Sequence, residues 1–292
     1  MNCQINTHEI RLTLDWSDYN KINLIRCCYK PNEIIKQYTI DDVINSENFV
    51  DEIKNLACQR MSNHDYKIYD YCKTNDKICD WYNDEIDTIT ISTSTRCNLN
   101  CIMCNYKEKY NTNDKFVYFT LLNKIKNNHL KTIELTFEGE PFYYKEDTFN
   151  YIRSLTINDC QCLYIISNLT MLSENDIIEL NNISNLTNVK ILFSVSIDGI
   201  TEETYKKIRK NNLFNKVINN TVLLKNYNML DKINFVVQEE NLHELDMVFD
   251  FWKTYNINKD FLNILLINGV SQNRINTVLQ SAEWNNYINK LC

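Results

Sequence analysis

The chain has 292 residues, of which 44% are hydrophobic and 12% aromatic, and its net charge is −7 at pH 7. This length and apolar content suit one large α/β domain, alone or with a small second domain. Acidic and basic residues are interspersed, so the sequence predicts no concentrated basic surface, and we expect no nucleic-acid partner.

The sequence also predicts a cytoplasmic location without a membrane partner. No apolar run approaches the length of a membrane span, and Glu9, Arg11 and Asp15 stand where a signal peptide would be apolar. Cytoplasmic thiols stay reduced, so the 12 cysteines indicate metal binding more than disulfides. The alternative is that several are small buried apolar side chains, as we expect of Cys160 and Cys162.

Residues 1–85 differ in pattern from the rest of the chain. Alternating residues over 11–16 and 21–25 predict a β-hairpin. Thr39 and the acidic Asp41 and Asp42 mark the start of a helix over about 41–58. A unit this small has little core, so its cysteines indicate a second iron–sulfur cluster, a zinc site or buried free thiols. They are Cys3, Cys27, Cys28, Cys58, Cys72 and Cys79.

Residues 86–292 alternate between strand and helix patterns. The predicted strands are 87–92, 132–137, 162–166, 190–196, 232–237 and 261–266. The predicted helices are 117–127, 147–155, 174–181, 201–209, 214–226, 243–255 and 275–291. Six β/α repeats predict a parallel sheet with helices outside, and in such folds the chemistry lies at the carboxyl ends of the strands.

Three cysteines follow the first of these strands: Cys97, Cys101 and Cys104. Their spacing allows the thiols to converge on one metal centre. A [4Fe–4S] cluster usually takes four thiolates, so three would leave one iron open to a small molecule. A zinc loop with a fourth ligand from elsewhere, or three unrelated thiols, are the alternatives.

Polar residues follow the next three strands. A glycine lets the backbone approach a ligand, a carboxylate accepts from an ammonium group, and short polar side chains can bond ribose hydroxyls. An acidic turn and a helix cap are the alternatives. The residues are Gly139 and Glu140, then Ser167 and Asn168, then Ser194 and Ser196, the last two on one face of their strand.

The C-x3-C-x2-C motif after a first strand resembles the signature of the radical S-adenosylmethionine (SAM) enzymes. The likeness continues in order over residues 87–270. Gly139 and Glu140 match the family's G-E-P motif, and the run at 194–209 is similar to S-I-D-G-x-x-x-E-T-Y-x-x-I-R. The chain departs from the family where Glu138 replaces a small residue and where Leu169 replaces the glycine of Thr-Asn-Gly.

This resemblance implies a six-stranded partial (β/α)6 barrel with a [4Fe–4S] cluster on Cys97, Cys101 and Cys104. One electron from the cluster would cleave SAM to a 5′-deoxyadenosyl radical, which abstracts hydrogen from a substrate. Reduced flavodoxin or a ferredoxin-type protein would donate the electron. Asp198 and Arg209 would be structural or lie near the SAM carboxylate. The other residues implied to contact SAM are Gly139, Glu140, Ser167, Asn168, Ser194, Ser196 and Val237, the last against adenine.

The N-terminal segment resembles the auxiliary-cluster modules of the SPASM and twitch kind, placed before the barrel. The resemblance implies Cys3, Cys27 or Cys28, Cys72 and Cys79 as ligands, although the usual turn glycine and C-x2-C spacing are missing. Enzymes with such modules often modify peptides, so a peptide that is crosslinked or epimerised is the first expectation. A sugar or other small metabolite is the second. The alternative from another class is a non-catalytic metal-binding adaptor.

Overall fold

The computed structural model of the chain describes residues 9–14, 21–25, 34–62, 87–92, 94, 96–104, 114–135, 138–267 and 272–291. Its strands are β1 (Glu9–Leu14), β2 (Lys21–Ile25), β3 (Ile34–Thr39), β4 (Thr88–Ser92), β5 (Leu130–Leu135), β6 (Cys160–Ser167), β7 (Lys190–Ser196), β8 (Leu230–Val237) and β9 (Leu262–Leu266). They form one nine-stranded sheet in the order β3-β2-β1-β4-β5-β6-β7-β8-β9.

Helices connect the strands. They are α1 (Ile40–Asn45), α2 (Phe49–Ser62), α3 (Asp114–Lys124), α4 (Lys145–Arg153), α5 (Glu174–Thr187), α6 (Glu202–Arg209), α7 (Phe214–Asn226), α8 (Val248–Lys253), α9 (Gln272–Gln280) and α10 (Ala282–Leu291). Short 3-10 helices cover Pro141–Tyr144, Glu239–Met247 and Lys259–Phe261. None of the helices in the described ranges is long and apolar enough to cross a membrane.

Strands β4 to β9 are parallel and lie side by side in chain order. This confirms the predicted parallel sheet. Because the chain adds each strand on the same side and crossovers are right-handed, the connecting helices lie on one face. The two faces differ accordingly: Leu163 and Ile165 of β6 are fully buried, whereas Tyr164 and Ile166, which alternate with them, are half-buried.

The N-terminal hairpin is part of the same sheet. Strands β1 and β2 pair antiparallel as predicted, and β3, which the sequence did not predict, pairs with β2. Strand β1 also pairs in parallel with β4, with Leu12 opposite Ile91, and both side chains are fully buried. The hairpin therefore covers an edge that β4 would otherwise expose, and the core continues across the junction. A domain boundary at residue 85 and the partial-barrel curvature of β4–β9 stay predictions.

The predicted N-terminal helix is two helices, α1 and α2. The start is as expected: the Thr39 side chain accepts from the Asp42 N–H, and the Asp42 carboxylate accepts from the Thr39 N–H, which completes a capping box. The first helix then ends at a cap on Ser46, which has an extended backbone.

Candidate metal centre and cofactor site

The cysteine loop follows β4 and is held from two sides. The N–H of Ile102 donates to the carbonyl of Ile208 in α6 at 2.9 Å, and the N–H of Glu140 donates to the carbonyl of Arg96 at 2.8 Å. Cys101 is buried, whereas Cys97 and Cys104 are half-buried. The loop therefore sits between the end of α6 and the loop that carries Glu140, at the carboxyl end of the sheet.

Among the described residues, N–H groups donate to two of the three thiols. Cys97 Sγ accepts from the N–H of Leu99 at 3.4 Å and from Asn168 Nδ2 at 3.8 Å. Cys101 Sγ accepts from Arg209 Nη1 at 3.7 Å. Donors to sulfur favour the thiolate, which is the form that binds a metal.

The thiols also act on one another. Burial raises the pKa of Cys97 to about 12; the Leu99 N–H opposes this, and Glu140, Cys101 and Cys104 add to it. Burial likewise raises the pKa of Cys101, against the effect of Arg209. Negatively charged thiolates that share a buried place repel one another. A metal centre would remove that penalty, because coordination deprotonates a thiol outright.

The donor set fits an iron–sulfur cluster. Soft thiolate ligands are those that such clusters take, and each thiolate binds a different iron. Within the described part of the chain, no three His, Cys, Asp or Glu side chains are placed to hold one metal ion. A cluster does not require that arrangement, because its ligands are spread around several irons.

Glu140 joins the end of β5 to the end of β6. Its Oε1 accepts from Ser167 Oγ at 2.8 Å and from the N–H of Phe142 at 3.2 Å, and its Oε2 accepts from the N–H of Asn168 at 2.8 Å. Burial raises the pKa of this carboxyl to about 7, although the three donors oppose the rise. Gly139 and Glu140 border a small cleft that Tyr118 also lines.

Asn168 connects β6 to the cysteine loop. Its Nδ2 donates to Asn98 Oδ1 at 3.2 Å, and Asn98 Nδ2 donates to Thr170 Oγ1 at 2.7 Å. Leu169, which follows Asn168 in the chain, has a left-handed φ of 57° and a fully buried side chain. A leucine therefore adopts here a backbone conformation that glycine adopts more readily. No role was assigned from the sequence to Asn98, which is an unspecified position of the C-x3-C-x2-C motif, or to Thr170.

A polar network crosses the half-buried face of the sheet. Asn263 Nδ2 donates to Asn234 Oδ1 at 2.9 Å, and Asn234 Nδ2 donates to Ser194 Oγ at 2.8 Å. Tyr164 donates to Asp231 Oδ2 at 2.9 Å. The β7–β8 register shifts at Asp231, and such a bulge can re-aim a side chain. Asn234 lies between the fully buried Ile233 and Phe235, and this period-two alternation within β8 is the signal that could have found it.

The predicted serines and valine lie on different faces. Ser194 is buried and Ser196 is half-buried, and alternation puts both on the polar face. Val237 is fully buried and alternates with Ile233 and Phe235, on the helix-covered face. Val236, not Val237, therefore shares the face that carries Ser194, and an adenine contact from this strand stays a prediction.

Two buried carboxylates support the loop. Asp198 was expected to be structural or to lie near the SAM carboxylate, whereas Asp114 was not selected from the sequence. Asp114, at the start of α3, accepts from Ser94 Oγ at 2.9 Å and Tyr144 Oη at 2.8 Å, and lies 3.4 Å from Arg96 Nε. Asp198 pairs with Arg209. The predicted auxiliary ligands lie outside the described residues: Cys3, Cys27, Cys28, Cys72 and Cys79.

No protein-family model and no curated protein matches the chain. Solved structures do. The match with polyhistidine-tagged anSMEcpe with bound AdoMet covers 70% of this chain and 57% of anSMEcpe, with a TM-score of 0.51 and 19% identity. The match with native anSMEcpe with bound AdoMet covers 70% of this chain and 60% of anSMEcpe, with a TM-score of 0.50 and 18% identity. SuiB of Streptococcus suis bound to precursor peptide SuiA matches 96% and 70%, with a TM-score of 0.51 and 13% identity.

The chain therefore spans less than two thirds of the length of the anSMEcpe structures that it matches. At identities this low the likeness is one of fold, and the chain has a mixed, mostly parallel α/β fold similar to that of these structures.

Proposed function

We propose that the chain is a radical SAM enzyme that modifies a peptide. The observation that carries the proposal is the loop with three thiols that follows β4, held by N–H donors from Asn168 to Cys97 and from Arg209 to Cys101, in a fold shared with anSMEcpe and SuiB. Cys97, Cys101 and Cys104 would hold a [4Fe–4S] cluster. When bound, the cluster and SAM would supply a 5′-deoxyadenosyl radical that abstracts hydrogen from the substrate.

The chain's own residues would orient the cluster and the cofactor. The N–H donors of Leu99, Asn168 and Arg209 would stabilise the thiolates. Glu140 accepts three donors, and a carboxylate can accept about four, so one position is left for the ammonium group of SAM. The remaining residues that we assign to SAM are Gly139, Ser167, Asn168, Ser194 and Ser196.

Two observations on the neighbours support the cofactor and the substrate class. The anSMEcpe structures contain AdoMet. SuiB, whose match covers 96% of this chain, is bound to a precursor peptide. We assign crosslinking or epimerisation as the type of change, with a reduced flavodoxin or ferredoxin-type protein as electron donor. Cys3, Cys27, Cys28, Cys72 and Cys79 are the proposed source of ligands for a second cluster.

Reductive cleavage of SAM tests the activity. Protein prepared without oxygen is incubated with SAM and dithionite, and 5′-deoxyadenosine is measured. We expect product from the parent, none from Cys101→Ala, and parental amounts from Cys162→Ala, a matched control at the opposite end of the sheet. A parent that forms no product, or a Cys101→Ala variant that equals it, would contradict the proposal and favour the non-catalytic adaptor.

The substrate class needs a separate measurement. Precursor-type peptides and, in parallel, nucleotide sugars are added to the same assay, and the rise in 5′-deoxyadenosine is followed together with the mass of the added compound. We expect a peptide that both stimulates the reaction and changes in mass. Stimulation and change confined to the sugars would replace the peptide by a small metabolite.

A further inference from the structure

A buried ion pair lies directly behind the cysteine loop. Arg209 Nη2 is 2.6 Å from Asp198 Oδ2, and the two side chains are 9% and 0% exposed. The other carboxylate oxygen, Oδ1, accepts the N–H of Val236 at 2.9 Å. Burial opposes charge on the guanidinium, but Asp198 and Cys101 raise the pKa of Arg209. Because breaking such a pair leaves a buried charge unpaired, the pair holds its geometry firmly.

The same guanidinium reaches one proposed cluster ligand. Its Nη1 donates to Cys101 Sγ at 3.7 Å, and the adjacent backbone contact between Ile102 and Ile208 fixes the loop against the end of α6. The donors to Cys97 among the described residues differ in kind, because the Leu99 N–H and the Asn168 amide are neutral. Cys101 therefore receives a cationic donor and Cys97 receives neutral ones.

A fixed charge at this place has a definite electrostatic consequence. An electron added to a cluster is stabilised by a nearby positive charge and destabilised by a negative one, and burial keeps solvent from screening either. Hydrogen bonds to the ligand sulfurs and the local charge are known to shift cluster potentials. Arg209, which contacts Cys101, should therefore raise the reduction potential of the cluster. Asp198, which contacts the other terminal nitrogen of Arg209, should lower it.

We propose that Arg209 is a positioning residue, held by Asp198, that sets the reduction potential of the cluster through its hydrogen bond to Cys101. This rests on the proposed function, because it requires the cluster. It assigns the pair a task beyond stability: Asp198 aims the guanidinium at the sulfur and offsets part of its charge.

Two variants of opposite charge effect test the proposal. The midpoint potential is measured by anaerobic reductive titration with electron paramagnetic resonance, without SAM, so that lost SAM contacts do not contribute. The signal that is absent from Cys101→Ala identifies the cluster. We expect a more negative potential for Arg209→Gln and a more positive one for Asp198→Asn.

Arg153→Gln is the matched control. This variant removes the same charge from an exposed side chain at the end of α4, where Arg153 pairs with Glu179 of α5. Its potential should equal that of the parent. A merely structural role for the pair would lower the iron content of both variants without shifting their potentials in opposite directions.

The outcomes distinguish a failure of the role proposed for Arg209 from a failure of the proposed function. Unshifted potentials in iron-loaded variants, or shifts of the same sign in both, overturn this proposal alone. If Arg209→Gln holds no iron, Asp198→Asn decides, since it keeps the guanidinium: a positive shift supports the proposal and any other result overturns it. A parent without a cluster overturns the proposed function and this inference with it.

Discussion

Gly199 occupies a position where even a methyl group should be costly. A Cβ built on it would lie 2.7 Å from the backbone nitrogen of Tyr205 and 3.1 Å from the carbonyl carbon of Thr204, whereas ordinary contacts begin at 3.4 Å. Both atoms belong to the first turn of α6, so no side-chain rotation can relieve the overlap. For Gly199→Ala, the turn or the helix must move.

The turn is also fixed on either side of the glycine. Asp198 accepts the Val236 N–H at 2.9 Å, and the Ile200 N–H donates to the buried carboxylate of Glu244 at 2.9 Å. Movement would weaken one of these bonds. Overpacking of this kind typically costs about 1–3 kcal/mol, and we expect Gly199→Ala to lose that much stability.

Urea unfolding of metal-free, reduced protein measures the loss. The midpoint for Gly199→Ala should fall, and the larger side chain of Gly199→Ser should lower it at least as far. An alanine variant that unfolds at the parental midpoint would refute the reasoning, because it would show that the turn and α6 separate freely.

Three further predictions concern residues around the site. The pKa of Glu140 is about 7 in the folded chain and 4.5 in the unfolded chain. Because the folded state binds the proton more tightly, the free energy of unfolding should fall by about 3 kcal/mol as the pH rises from 4.5 through 7. Urea midpoints of Glu140→Gln should lack this dependence on pH. Leu169→Gly relieves about 1 kcal/mol of left-handed strain but removes a buried leucine worth about 3–5 kcal/mol, so its urea midpoint should fall. Asp114→Asn should lose about 1–3 kcal/mol and hold less iron per chain, because the carboxylate supports Ser94 and Arg96.

Each of these has a matched control and a contradicting result. Parallel pH profiles for the parent and Glu140→Gln would show that this carboxyl does not titrate near neutrality. Asn188→Gly is the control for Leu169→Gly, because Asn188 is also left-handed but exposed, and it should change stability by only a few tenths of a kcal/mol. A Leu169→Gly variant that is more stable than the parent would mean that the relief of backbone strain outweighs the loss of the buried side chain. Asp147→Asn breaks an exposed pair with Lys115 and should leave iron content unchanged; equal iron in Asp114→Asn would remove the supporting role.

The parallel strands could be predicted from the sequence because each is marked by apolar residues close together in the chain. Each of β4–β9 is a short run between turn or helix patterns, and the predicted positions overlap those observed. The partner of β1 was not readable in the same way. Its pairing with β4 joins residues about 80 positions apart, such as Leu12 and Ile91, and depends on which edge is free in three dimensions.

The site shows the same division between local and distant information. Glu140 and Asn168 were selected because each follows a strand, and the structure joins them through a hydrogen bond of 2.8 Å. The contact between Arg209 and Cys101 links residues 108 positions apart, and no pattern at either residue specifies the other. Sequence reasoning can therefore name residues at strand ends, but which of them touch depends on the packing of α6 against the loop.

Iron, sulfide and zinc per chain, measured on protein prepared without oxygen, test the central claim most directly. The comparison is between the parent and a variant in which Cys97, Cys101 and Cys104 are all replaced by alanine. We predict that the parent holds about four more iron and four more sulfide per chain than the variant, the content of one [4Fe–4S] cluster. Equal iron in the two proteins, or zinc in place of iron in the parent, would contradict the account.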